Sequence, residues 1–113
     1  MTQITKIINT AGEWLLKQQD RKSGGWADRP GGHVNTLNTA EVMIALIDSG
    51  ICTAGSGAIQ QANQFLLKHQ TSEGQDRGSW PREVVMEQSL TVYIPDLVRT
   101  SFSIQALIKA GLG

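Results

Sequence analysis

Few residues of this chain combine side-chain types and spacing that could support chemistry. Asp96 and Arg99 lie three positions apart, where a carboxylate and a guanidinium could contact a polar ligand. The same spacing is typical of a helix cap or a surface ion pair. His33, His69 and Cys52 are residue types that bind zinc, but they lack the spacing of metal ligands. We therefore predict no catalytic residue, no metal and no cofactor.

Length and charge narrow the class of protein further. A chain of 113 residues fits one modest domain. Its ten basic and ten acidic residues cancel, and no segment concentrates Lys or Arg, so nucleic acid and anionic membranes are not expected as partners.

The start of the chain and its cysteine content bear on location. Met1 leads directly into polar residues, without the basic and apolar regions of a signal peptide. The longest apolar run, 42–47, is too short to span a bilayer. Together with the single cysteine, these features lead us to expect a cytoplasmic protein.

An internal repeat organises the chain. A shift of 51 positions aligns Ala11, Trp14, Leu15, Leu16, Lys17 and Gln19 with Ala62, Phe65, Leu66, Leu67, Lys68 and Gln70. Beyond a loop of different length, Thr39, Ala45 and Leu46 align with Thr100, Ala106 and Leu107. We predict one domain of two repeats, 1–50 and 51–113, each made of two segments joined by a Gly-rich loop.

The first and third segments have the pattern of amphipathic helices. An apolar stripe runs through Ile4, Ile8, Ala11 and Leu15 in the first segment, with polar residues on the other side. The third segment repeats this pattern after the residues 55–57, which could cap it. Both are predicted to be outer helices with one polar face.

The second segment leaves almost no polar face, and the fourth carries many apolar residues. We predict that the ranges about 36–48 and about 96–110 are inner helices, the first of them buried nearly all round. Residues 84–94 are compatible with a short strand or an ordered loop, and we interpret them as irregular. The predicted fold class is all-α.

A glutamine and a tryptophan recur in the loop of each repeat. Such a glutamine can bond to backbone groups that are free at helix ends, and the tryptophan can pack over it where glycines let the chain turn. An aromatic-Leu pair, a Gln and a later Gly-x-Trp resemble the QW repeat of triterpene cyclases. Its positions are Trp14, Leu15, Gln19, Gly24 and Trp26, and then Phe65, Leu66, Gln70, Gly78 and Trp80. We interpret these residues as structural.

The resemblance extends to the terpenoid cyclase and protein prenyltransferase superfamily, whose helical hairpins form an α/α toroid. It implies two helical hairpins of such a toroid, with the inner helices lining an apolar cavity. In squalene-hopene-type cyclases the proton donor is the central Asp of an Asp-x-Asp-Asp-Thr-Ala motif. Aligned on Thr39 and Thr100, that position holds Leu37 and Val98, neither of which can donate a proton. The zinc ligands of prenyltransferases have no evident counterpart either.

These observations favour a non-catalytic module whose inner helices offer an apolar surface. Candidate ligand contacts are Asp96, Arg99, Phe102 and Asn38, and the partner is an apolar isoprenoid-like ligand or a protein segment. Because two hairpins leave apolar helices uncovered, we expect a homo-oligomer, with several copies able to close a ring by symmetry, or a part of a longer chain. The alternative is a fragment of a triterpene cyclase or a prenyltransferase whose catalytic residues lie in missing repeats.

Overall fold

The computed structural model describes residues 3–86 and 90–111. Its elements in chain order are α1 (Gln3–Lys17), α2 (Thr36–Asp48), α3 (Gly57–His69), β1 (Pro81–Val85), β2 (Thr91–Pro95) and α4 (Leu97–Lys109). The four predicted helices are confirmed. The chain is mainly helical as predicted, but it is not all-α, because β1 and β2 form a small antiparallel sheet.

The β-hairpin occupies the segment that we interpreted as irregular. Its ladder runs from the pair Pro81–Pro95 to the pair Val85–Thr91, and residues 87–89 between the strands lie outside the described residues. The strands are rich in β-branched residues, and the two prolines are confined to the ends of the ladder, where a missing N–H costs least. Periodicity could not reveal the pairing because each strand depends on its partner for hydrogen bonds.

Side chains cap the two inner helices. At the start of α2, Asn35 Oδ1 accepts a hydrogen bond from the Asn38 N–H at 2.9 Å. At the start of α4, Asp96 Oδ1 accepts from the Arg99 N–H at 3.0 Å. Ser56 is the N-cap residue of α3, but its hydroxyl accepts from the Thr53 N–H instead of from the helix. The predicted cap at 55–57 therefore does not use the serine side chain.

The core lies between α2, α3 and α4. Its apolar members are Trp26, Ala40, Met43, Leu46, Cys52, Ile59, Ala62, Phe65, Leu66, Ala106 and Ala110. Helix α2 is central and packs against both α3 and α4. Gly12 is the only buried residue of α1 among those described, and a Cβ there would collide with the Ile51 side chain. Helix α1 is thus held mainly at its C-terminal half.

Burial of the helices differs from the prediction in two places. Helix α2 is an inner helix as expected, but α4 leaves Leu97, Ile104 and Ile108 exposed by 85%, 48% and 60%. Helix α1 exposes much of its apolar side, including Ile8 and Trp14. Since no element in the described part of the chain lies against these faces, apolar sequence alone does not bury them.

The helices are short. Helix α1 has 15 residues and rises about 22 Å, which is less than the roughly 30 Å of a bilayer core. Within residues 3–86 and 90–111, no helix combines the length and the apolarity needed to cross a membrane.

Candidate functional site

Trp26 links the end of α1 to the start of α2. Its indole Nε1–H donates to the Leu15 carbonyl at 2.7 Å, and its backbone N–H donates to Thr39 Oγ1 at 2.8 Å. Because the ring is buried and both of its N–H groups are paired, Trp26 can enter the core without an unsatisfied polar atom.

Trp80 makes the same two hydrogen bonds in the second repeat. Its Nε1–H donates to the Leu66 carbonyl at 2.8 Å, and its backbone N–H donates to Thr100 Oγ1 at 2.9 Å. The acceptors occupy the positions that the sequence repeat aligns with Leu15 and Thr39. Sequence reasoning missed the role of the two threonines, although their shared position in the repeat was the available signal.

The side chains of the two glutamines donate hydrogen bonds to backbone carbonyls of the loops. Gln19 Nε2 donates to the Gly24 carbonyl at 2.8 Å, and Gln70 Nε2 donates to the Gly78 carbonyl at 3.0 Å. Gln19 makes a further bond of 2.9 Å to the Ala58 carbonyl in α3. The glutamine of the first repeat therefore joins the two repeats, while Gln70 is exposed and bonds within its own loop.

The remaining positions of the QW pattern have different environments in the two repeats. Gly24 and Gly78 both have a positive φ, of 86° and 96°, which favours glycine. Phe65 is buried and its ring lies 4.2 Å from the His69 ring, whereas Trp14 is about half exposed. The two copies of the motif thus have similar backbone conformations at the glycine, but their aromatic side chains are buried to different extents.

Asp96 and Arg99 form an ion pair and hydrogen bonds with other groups of the chain. Arg99 Nε lies 3.6 Å from Asp96 Oδ2, and Arg99 Nη1 donates to Thr36 Oγ1 on α2 at 3.3 Å. The hydrogen bond from the Arg99 N–H, and then the nearby guanidinium charge, lower the pKa of Asp96 against the effect of burial. Asp96 therefore stays ionised as a helix cap, and it is unsuited to donate a proton.

The other two candidate contacts do not meet at one site. Asn38 lines a cleft together with Arg99, and its Oδ1 accepts from Asn35 Nδ2 at 2.7 Å. Phe102 packs instead against the core, partly buried. The structure therefore brings Asn38 and Arg99 together and leaves Phe102 apart from them.

The cleft beside Asn38 is polar and open. It encloses about 490 Å³ and is lined by Asp28, Arg29, His33, Asn35, Leu37, Asn38, Glu83 and Arg99. Its exposed polar side chains lie in pairs: Arg29 Nη1 is 2.8 Å from Asp28 Oδ2, and His33 Nε2 is 3.3 Å from Glu83 Oε2. An apolar chain would have to lie among these charges, which disfavours it.

The positions of the cyclase proton donor offer no acid. Leu37 forms part of the wall of the polar cleft, and Val98 is exposed on α4. Neither side chain can transfer a proton.

His33 and His69 line a common cleft, and Cys52 is not part of its lining. Cys52 is buried in the core, and His69 Nδ1 lies 2.7 Å from the Phe65 carbonyl. Among residues 3–86 and 90–111, no group of three or more His, Cys, Asp or Glu side chains could hold a metal ion.

Helix α4 carries an exposed apolar surface. Leu97, Ile104 and Ile108 follow one another at helical spacing and share one side of the helix. We call these three residues the α4 strip. An aligned apolar strip of this kind can be covered by a complementary surface.

Comparisons of the chain with protein-family models, with curated proteins and with solved structures gave no match.

Proposed function

We propose that this protein is a non-catalytic helical-repeat module that binds a protein surface through the α4 strip. The observation that carries the proposal is the exposure of Leu97, Ile104 and Ile108 on a helix whose other side is packed in the core. A protein surface is favoured because exposed apolar patches on proteins mark sites of interaction.

The first repeat supports this interpretation. The α2 residues aligned with the α4 strip are Thr36, Met43 and Ile47, and all three are buried or partly buried. The fold therefore covers this side of an inner helix where a following repeat is present. The strip on α4 has the same place in its repeat and is available to a partner.

The duplicated Gln and Trp hydrogen bonds support the resemblance to QW repeats. On that basis we propose that α1 with α2, and α3 with α4, are two helical hairpins of an α/α toroid of the terpenoid cyclase and prenyltransferase type. We also propose a reducing, cytoplasmic location, since the one thiol, Cys52, is unpaired and buried.

An isoprenoid-like ligand has less support than a protein segment. The cleft at the starts of the inner helices is lined by charged and amide side chains, and two neighbouring clefts also have charged walls. Pockets that bury apolar ligands are lined mainly by apolar and aromatic side chains. The α4 strip is instead an open surface.

Apolar binding can be tested with the neutral dye Nile red at a low protein concentration. Ile104→Asp should weaken dye binding at least about fivefold, because it places a charge within the strip. Ile4→Asp is the matched control, since Ile4 is also an exposed isoleucine but lies on α1. Equal dye binding by both variants and the wild type would refute the assignment of the α4 strip.

The second candidate function is a fragment of a triterpene cyclase or a prenyltransferase, which the paired Gln and Trp bonds favour. It predicts turnover when the chain is supplied with the missing repeats, whereas the module predicts none from any side chain described here. Incubation of the folded chain with squalene, and separately with farnesyl diphosphate, followed by product analysis, tests whether the chain converts either compound without further repeats. Product formed by this chain alone would overturn the non-catalytic assignment.

A further inference from the structure

We propose that the partner of the α4 strip is a second copy of this chain, docked head to tail so that its α1 and α2 follow α3 and α4 of the first copy. This inference rests on the proposed function and names its partner. The geometry of the contact is already present once inside the chain, between the two helical hairpins. We call that contact the internal joint.

Two contacts between the loop after α1 and helix α3 form part of the internal joint. Gln19 Nε2 reaches the Ala58 carbonyl of α3 at 2.9 Å. Gly24 lies so close to α3 that a Cβ built on it would be 2.6 Å from the Gln61 carbonyl oxygen. The joint therefore needs an amide donor and a bare glycine on the side of the first repeat.

The second repeat has an equivalent amide donor and glycine, but among the described residues no helix of another repeat contacts them. Gln70 makes the loop bond to the Gly78 carbonyl, but among the described residues its amide has no acceptor in a following helix. A Cβ on Gly78 would meet no heavy atom within 4 Å. The loop of the second repeat thus repeats the Gln-to-Gly hydrogen bond of the first, across eight positions instead of five, and the space beside Gly78 is open.

The matching surface is on α1. The repeat aligns Ile7 with Ala58 and Thr10 with Gln61, so these residues are the counterparts of the α3 contacts. Ile7 and Thr10 are both exposed. Ile8 and Trp14 are also exposed, whereas their counterparts in α3 are buried. The loop with Gln70 and Gly78 therefore corresponds to the donor surface of the internal joint. Helix α1 corresponds to the acceptor surface, which α3 provides in the internal joint.

The ends of α2 and α4 carry charges that also fit the proposed contact. In the internal joint, Lys109 Nζ of α4 is 2.8 Å from Asp48 Oδ1 of α2, and these residues end the two inner helices. Continuing the array would place Lys109 of the first copy beside Asp48 of the second, again with opposite charges. The α4 strip would then be covered as the corresponding side of α2 is.

In the docked pair, Gln70 of the first copy donates to the Ile7 carbonyl of the second, and Gly78 packs against Thr10. The contact is heterologous, because each copy uses a different surface on its two sides. Repetition of the contact gives a closed ring or an open filament.

The test compares the variants Gly78→Asn and Gly74→Asn by their mass in solution as a function of concentration. Both glycines have a positive φ and open space around them, so the two variants carry a similar strain in the monomer. Asparagine tolerates this conformation better than most residues. Only the side chain at position 78 would enter the proposed joint, so we expect Gly78→Asn alone to weaken self-association, by at least about tenfold.

A mixing experiment tests the head-to-tail arrangement. Ile8→Asp blocks the α1 side, because the residue aligned with it, Ile59, is fully buried, and it leaves Gly78 intact, whereas Gly78→Asn does the reverse. Each variant alone should remain a monomer, and their mixture should form a complex of two chains that grows no further. A symmetric dimer would show no such complementation. Circular dichroism checks that all variants keep their helices.

Other outcomes overturn the inference. A wild-type chain that stays monomeric at high concentration, or equal association of Gly78→Asn and Gly74→Asn, excludes the head-to-tail copy. The Nile red comparison of Ile104→Asp with Ile4→Asp is made where the chain is monomeric, so its result is independent of self-association. Failure of this inference is therefore distinguishable from failure of the proposed function.

Discussion

Gln19 and Gln70 occupy the same position in the repeat and have different surroundings. Both donate to a glycine carbonyl in their own loop, but only Gln19 also reaches α3. Gln19 is partly buried and Gln70 is exposed. The free energy that an amide contributes here depends on whether a second helix lies beside it.

Replacing each glutamine by alanine should show this difference. Gln19→Ala removes two hydrogen bonds, one of them between the two repeats, and should lower the free energy of unfolding by about 1–2 kcal/mol. Gln70→Ala removes one exposed bond and should cost about 0.5 kcal/mol or less. Urea unfolding at a low protein concentration measures both. Equal losses would contradict the structural role of the bond to Ala58.

Asp96 should make stability depend on pH. The pKa of its carboxyl is lowered in the folded state, first by the hydrogen bond from the Arg99 N–H, so its contribution is present above the unfolded pKa and is lost as the pH falls. Asp96→Ala should cost about 1 kcal/mol near neutral pH. This difference from the wild type should shrink as the pH is lowered from about 5 to about 2.

Asp96→Asn is the control for the capping bond. Asparagine caps a helix about as well as aspartate but does not titrate, so most of the stability at neutral pH should remain. Unfolding of the three proteins across this pH range provides the measurement. A constant difference between the wild type and Asp96→Ala at every pH would contradict the role of the charge.

At the scale of elements, the inner helices differ in their neighbours more than in their composition. Helix α2 lies between α3 and α4, whereas α4 packs against α2 and is also contacted by β1. Met43 and Ile104 stand at equivalent positions of the repeat, and their exposed fractions are 0% and 48%. The difference comes from the helix that follows α2 and has no counterpart beside α4 in the described chain.

Aspartate substitutions at these two positions test the difference. Met43→Asp buries a charge and should lower the free energy of unfolding by about 3 kcal/mol or more, which a small domain has little margin to absorb. Ile104→Asp should change it by about 0.5 kcal/mol or less in the monomer. Thermal unfolding followed by circular dichroism distinguishes them. A large loss for Ile104→Asp in the monomer would mean that α4 is covered within the chain.

At the scale of the whole molecule, the chain is elongated. Its radius of gyration is 15.0 Å and its extents are 52 × 32 × 23 Å, whereas a compact domain of this length has a radius of gyration of about 13 Å. A stack of repeats, each in contact with its neighbours alone, has this shape. The stack also explains why α1 and α4 both leave apolar side chains exposed. The head-to-tail docking proposed above would bring these two surfaces together.

The helices and the repeat follow from local patterns in the sequence. The apolar spacing of α1 and α3, the apolar run of α2, and the recurrence of Gln19 and Trp26 as Gln70 and Trp80 are local patterns. Local patterns suffice here because a helix makes its backbone hydrogen bonds within its own segment. The start of α4 could likewise be predicted, since the capping residue Asp96 lies next to the helix that it caps.

Which apolar faces are covered depends on contacts between elements and cannot be read from the segments. Ile8 and Ile59 are the same residue at the same place in the repeat, yet they are exposed by 40% and 0%. Burial depends on which element lies opposite, and that is not written in the segment itself. The β-hairpin and the bonds of Thr39 and Thr100 to the tryptophans were undecided for the same reason, because each needs a partner that is distant in the sequence.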